Sequence, residues 1–307
     1  MRKLRIIGIS IGLAGLALLV WAADPAMVAA ALGKVPTGHI LAVALLVQIQ
    51  IVLSALRWRF TAGRLGQDFP VRIAIREYYL GSVLNQTLPG GIAGDATRVY
   101  RVQDDTSGGW KRAAMAVVLE RLSGQFAFFV LTGIGLLAWP FVLPVPLDGI
   151  SGPVLWGALL SSIALIVAAL RFRQVLAAWF QRLRPSLAAA FWSRGAFAVQ
   201  VSLSALIVGC YVVSFLLASD AVGAPLPAVA AITIIPLCLL AMLVPLGFGG
   251  WGPREATAAA LWPLVGFTGA EGIAASLVYG SLTLAGTALP GLCVAFGLLL
   301  RRLGRQF

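Results

Sequence analysis

The chain has 307 residues, 60% of them hydrophobic and only 11% charged, with a mean hydropathy of +0.95. Soluble domains carry about a quarter charged residues, so a soluble enzyme is excluded. The 23 Lys and Arg against 11 Asp and Glu give a net charge of +12, which in a soluble chain would suggest nucleic acid; here the basic residues lie between apolar runs and read as membrane topology signals.

Apolar runs of about 20 residues, each enough to cross about 30 Å of hydrocarbon, recur along the whole sequence, so residues 1–307 are expected to form a single polytopic membrane domain. Full crossings are expected at 6–23, 39–56, 113–138, 154–170, 195–218 and 273–300. The first has the basic start of a signal peptide, but its apolar run is too long for one and is expected to stay uncleaved. Two further apolar stretches, 73–99 and 229–264, are interrupted by Gly and Pro.

Lys and Arg concentrate in the connections 1–5, 57–76, 98–112, 171–194 and 301–307, whereas 24–38, 139–153 and 219–228 hold only Lys34. The positive-inside rule then places both termini in the cytoplasm. Parity closes if each interrupted stretch enters and leaves on one side, the first from the cytoplasm and the second from outside. The expected fold is an all-α integral membrane protein: six transmembrane helices plus two re-entrant broken hairpins. Segment 171–194 mixes five Arg with Phe172, Trp179, Phe180, Phe191 and Trp192. It reads either as an interfacial amphipathic helix pair hinged at Pro185 or as a plain basic loop.

The two interrupted stretches are similar to each other. Pro89, Gly91, Gly94 and Arg98 form the pattern P-x-G-x-x-G-x-x-x-R, and Pro245, Gly247, Gly250 and Arg254 repeat it 156 positions later. The same offset carries the span at 39 onto that at 195. The organisation expected is a first span and outer loop (1–38), repeat 1 (39–138), a connecting span with a basic cytoplasmic segment (139–194), repeat 2 (195–300) and a basic tail (301–307). Because the two sets start in opposite directions, the repeats have inverted topology, an architecture of secondary transporters with substrate near the midplane.

Pro and Gly let the backbone leave the helix, which is tolerable in a membrane only beside protein or a water-filled cavity. A restarting half-helix offers free N–H groups and its positive dipole end to an anion. Arg98 and Arg254 lie one turn into such half-helices, and the planar guanidinium suits a phosphate. Ionisable residues inside spans normally have a partner or a task. Asp95 with Arg98, Glu120 with Arg121, and Arg254 with Glu255 are the candidates; Glu120 lies about two turns beyond Lys111 and Arg112, roughly 12 Å along the helix. Two roles stay open for Glu120 and Glu255, fixing the packing of the repeats or serving a proton or headgroup. Asn85, Gln86 and Thr87 are placed to bond the broken backbone.

Other matches carry nothing. Gly247, Gly249 and Gly252 spell G-x-G-x-x-G without the βαβ context that motif needs. His39, the single histidine, is expected at headgroup level, and the three Cys stand apart from one another, so no metal or cofactor is expected.

The run Leu84-Asn85-Gln86-Thr87-Leu88-Pro89-Gly90-Gly91-Ile92-Ala93-Gly94-Asp95-Ala96-Thr97-Arg98, the pair Glu120-Arg121, and Pro245 with Gly247-Phe248-Gly249-Gly250-Trp251-Gly252-Pro253-Arg254-Glu255 resemble the lysylphosphatidylglycerol synthase transmembrane family, also called the flippase-like domain family. The resemblance spans about 41–300. It implies lipid translocation, without naming the lipid; the sequence in hand carries no aminoacyl transferase domain, so synthesis by this chain alone is not expected. Three readings follow: a transporter moving an anionic lipid or lipid-linked intermediate between leaflets of the cell inner membrane, an accessory subunit of a separate lipid-modifying synthase or glycosyltransferase, and an intramembrane headgroup enzyme using Glu120 or Asp95. The first leads, with Arg98 and Arg254 on the lipid phosphate. An anionic lipid and a separate lipid-modifying enzyme are the expected partners, nucleic acid is not, and an oligomer stays open.

Overall fold

The computed structural model describes residues 33, 35–88, 91–103, 108–142, 171, 173–193, 195–243 and 251–303. Among them every regular element is helical. Helix α1 spans Thr37–Arg64, α2 Val71–Thr87, α3 Ala93–Val102 and α4 Gly109–Val142. Helix α5 covers Arg173–Leu187 and continues into a π turn at Ala188–Trp192. Helix α6 spans Ala196–Ala221, α7 Ala228–Ala241, α8 Pro253–Leu261 with a 3-10 turn at Trp262–Val265, and α9 Gly269–Leu303.

Among the described residues four helices are long and apolar enough to cross a membrane: Thr37–Arg64, Gly109–Phe141, Ala196–Ala221 and Gly269–Leu298. They fall on four of the six expected crossings; the other two, 6–23 and 154–170, lie outside the described residues. One boundary differs with consequence. Residues 57–76 were expected to be a cytoplasmic connection, but α1 runs on to Arg64 and buries Arg57, Trp58, Thr61 and Ala62. The buried positions Val43, Val47, Gln50, Ile51, Ser54, Ala55, Arg57 and Trp58 keep the three-to-four spacing of one helix face, so the stripe does not stop where hydropathy does. At the other amphipathic segment, Pro185 does not hinge two helices. It lies inside α5, and the chain reaches Trp192 through π bonding.

The interrupted stretches each divide into two helices. Leu88 leaves α2 with extended backbone, the conformation favoured before Pro89, and Gly91 turns the chain at φ +65°. Helix α3 then folds back along α2, as the contacts Glu77 to Arg101 and Asn85 to Gly94 require. In the second stretch Gly252 takes φ +96° before Pro253 starts α8. A Cβ on Gly94 would collide with the Gly81 carbonyl, and one on Gly272 would come within 2.5 Å of the Ala258 carbonyl oxygen. Glycine thus sets the close approach of α2 to α3 and of α8 to α9.

The helices interlock. Helix α1 packs along α6, α2 against α9, and α7 against α4. The largest buried cluster lies among α6, α7 and α9, where Phe215 stacks on Tyr279 at 4.6 Å and meets Trp262 at 5.7 Å. A second cluster gathers Trp58, Phe69, Ala62 and Ala116. Outward on α4, Phe126, Phe129, Leu137 and Phe141 are exposed, as a lipid-facing wall requires.

Candidate functional site

Arg98 projects from the second turn of α3 and is 2% exposed. Its Nη2 donates to Asp95 Oδ1 at 2.5 Å, and its guanidinium lies 3.6 Å from Glu120 and over the rings of Trp58 and Tyr78 at 4.9 and 4.4 Å. Glu120, fully buried on α4, accepts from Arg57 Nη2 at 2.7 Å and from the Tyr78 hydroxyl at 3.2 Å. Arg57 in turn donates to Ser204 on α6 at 3.0 Å. Asp95 receives a second guanidinium, that of Arg121, through a fork of 2.9 and 3.0 Å. Asn85 ties this group to the break, its Oδ1 accepting from Gly94 N–H at 2.7 Å and its amide donating to Asp95.

Among the described residues three guanidiniums therefore meet two carboxylates, an excess of one positive charge. Burying such a set costs several kcal/mol per ion unless partners surround it. Among the described residues Arg98 Nη1, Arg57 Nε and Glu120 Oε2 have no hydrogen-bond partner.

The second motif arginine is held differently. Arg254, 2% exposed on α8, donates to Glu255 at 2.6 Å and to Ser276 at 2.7 Å and lies over Trp251 and Tyr279 at 4.9 and 5.3 Å. Glu255 also caps α8, accepting from Gly252 N–H at 2.6 Å. Charge here balances.

Between the two arrangements lies a cavity of about 360 Å³. Its wall includes Asn85, Gly91, Asp95, Arg121 and Gln125 from one half and Trp251, Arg254, Tyr279 and Thr283 from the other, with Val47, Ile51, Leu239 and Leu240 as apolar lining. Arg121 has 43% of its side chain exposed, far more than Arg98 or Arg254. Arg98 does not reach the wall; it stands behind Asp95. Glu120 is likewise behind it, and its partner is Arg57 rather than its neighbour Arg121. The two neighbours turn to different partners, Glu120 to Arg57 and Arg121 to Asp95. Pro89, Pro245, Gly247 and Gly250 lie outside the described residues.

A separate buried carboxylate, Glu77 on α2, is clasped by Arg76 at 2.7 Å and Arg101 at 2.5 Å at the base of the α2 and α3 hairpin, away from the cavity. Arg57, Trp58, Tyr78, Glu77, Ser204 and Ser276 were not anticipated. Ser276 was within reach, being Glu120 displaced by the same 156 positions. Arg57 was within reach of the buried periodicity that passes beyond Leu56.

No curated protein and no solved structure matches the chain. A protein-family match covers residues 5–291. With membrane-length helices and that coverage, the chain is a multi-pass helical membrane protein belonging to the lysylphosphatidylglycerol synthase TM region family.

Proposed function

We propose that this protein moves an anionic lipid or lipid-linked intermediate between leaflets of the cell inner membrane, binding the headgroup in the cavity between its two halves. One observation carries the reading: a cavity walled by both halves is lined by Arg121 and Arg254 together with the apolar Val47, Ile51, Leu239 and Leu240. That pairing fits an anionic headgroup with acyl or polyprenyl chains attached. The excess positive charge of the Arg57, Arg98 and Arg121 group favours an anion over a cation. Arg254 is the motif arginine that contacts the phosphate, whereas Arg98 acts from behind by holding Asp95 and Glu120.

In this reading the α2 and α3 hairpin dips in from the cytoplasm and α7 with α8 from the opposite face, as inverted repeats with both termini cytoplasmic. The interlocked packing of α2 on α9 and α7 on α4 supports it, since each half lends its second helix to the other's fourth. Rocking one half against the other would then expose the cavity to each leaflet in turn.

The test is dithionite quenching of labelled phosphatidylglycerol in vesicles holding wild type or Arg121→Gln/Arg254→Gln, with native mass spectrometry of co-extracted lipid. Wild type is expected to retain an anionic lipid class and to scramble the label, the variant to do neither. A folded variant with undiminished translocation would overturn the assignment. Wild type that neither retains an anionic lipid nor scrambles the label, with a co-purifying synthase, would move the accessory reading ahead.

A further inference from the structure

Asp95 and Arg121 both line the cavity, and the carboxylate engages the guanidinium through two contacts, Nε to Oδ2 at 2.9 Å and Nη2 to Oδ1 at 3.0 Å. A phosphodiester presents two free oxygens in the same fork geometry. The pair is not a requirement of the repeated architecture, because 156 positions later Trp251 and Leu277 stand in their places. Arg121 is also the open member: 43% of its side chain is exposed, against 15% for Asp95.

We propose that Asp95 is an internal stand-in for the cargo's anion, holding Arg121 until a lipid phosphodiester of a single negative charge takes the fork. This deepens the lipid-translocation reading and rests on it. The single charge follows from the group itself, in which Arg57, Arg98 and Arg121 exceed Asp95 and Glu120 by one. Competition within the protein sets the affinity: the weaker Asp95's hold on Arg121, the tighter the headgroup. Asp95 remains anchored to Asn85 and Arg98 when Arg121 leaves, so release need not unravel the start of α3.

The experiment measures binding of fluorescent phosphatidylglycerol to the full chain in phosphatidylcholine nanodiscs, for wild type, Asp95→Asn, Arg121→Gln and the double variant, each checked by thermal melting. Asp95→Asn keeps the shape and removes the competing charge; Asp95→Ser serves if it does not fold. The expectation is binding about tenfold tighter in Asp95→Asn, equivalent to about 1.4 kcal/mol, with no gain in the double variant relative to Arg121→Gln. Asp95→Asn should also shift preference toward labelled phosphatidic acid, since the group's excess becomes two charges. Unchanged or weaker binding by folded Asp95 variants, with wild type still dependent on Arg121, overturns the stand-in and leaves translocation intact. Binding unchanged in Arg121→Gln and in the Arg121→Gln/Arg254→Gln protein overturns the underlying reading as well. Displacement of the lipid probe by an equal concentration of inorganic phosphate or tail-free glycerophosphoglycerol reassigns the site to a soluble anion and overturns the lipid class.

Discussion

Arg57 and Glu120 meet at 2.7 Å inside the bundle, with 4% and 1% of their side chains exposed, although 63 positions separate them. Their contact joins α1 to α4, and through Ser204 it also reaches α6. Removing either partner strands a buried charge. Arg57→Met or Glu120→Leu alone is expected to cost about 3–5 kcal/mol, and the two together less than the sum. Detergent-solubilised thermal unfolding of the four proteins checks this, and additive losses would contradict a direct pair.

Gly94→Ala should destabilise the folded protein, because the added methyl meets the Gly81 carbonyl, which is backbone and cannot swing aside. A clash of that kind costs about 1–3 kcal/mol or more. Gly133→Ala on α4, where nothing lies within 4 Å, is the matched control. Size-exclusion profiles of fluorescent fusions compare them directly.

Gly280→Ala has a different expected outcome. The methyl would meet the end of Arg254 and the Trp251 ring, and a side-chain end can move. The fold should persist while headgroup retention and translocation fall several-fold as Arg254 leaves its position, since binding of this kind depends on sub-ångström placement. Equal activity in Gly280→Ala would argue against Arg254 as a headgroup ligand.

Arg98→Lys is not conservative at this position. A lysine loses the planar face that lies over Trp58 and Tyr78 and cannot reach Asp95 and Glu120 with one fork. The expected loss is about 1–2 kcal/mol of stability, read as a lower melting temperature without altered lipid selectivity.

At the other extreme, His39 and Asp220 pair at 2.9 Å with 24% and 52% exposure, bridging the start of α1 and the end of α6. Asp220→Asn should change stability by no more than about 1 kcal/mol. A larger drop in melting temperature would mean that this end of the bundle is drier than its exposure indicates.

How far the sequence reaches can be judged at particular residues. Periodic hydropathy located α1, α4, α6 and α9, because a helix that meets lipid must be apolar along most of its length. It placed interruptions within 73–99 and 229–264, since proline and glycine act on their own backbone. It ended α1 too early because hydropathy falls at Arg57, and a charge count does not show that the side chain is buried. Only the partner on α4 reveals that.

By itself, then, the sequence determined the helical membrane character, the two stretches in which helices are interrupted, and the family, all consequences of local backbone chemistry and of the solvent each segment meets. The tertiary structure alone decided who pairs with whom: Glu120 with Arg57 and not Arg121, Arg121 with Asp95, Arg98 behind the cavity and Arg254 on its wall. Those pairings depend on which faces of α1, α3, α4 and α9 turn toward one another. Close packing at Gly81, Gly94 and Gly272 fixes that rotation, and no segment read alone carries it.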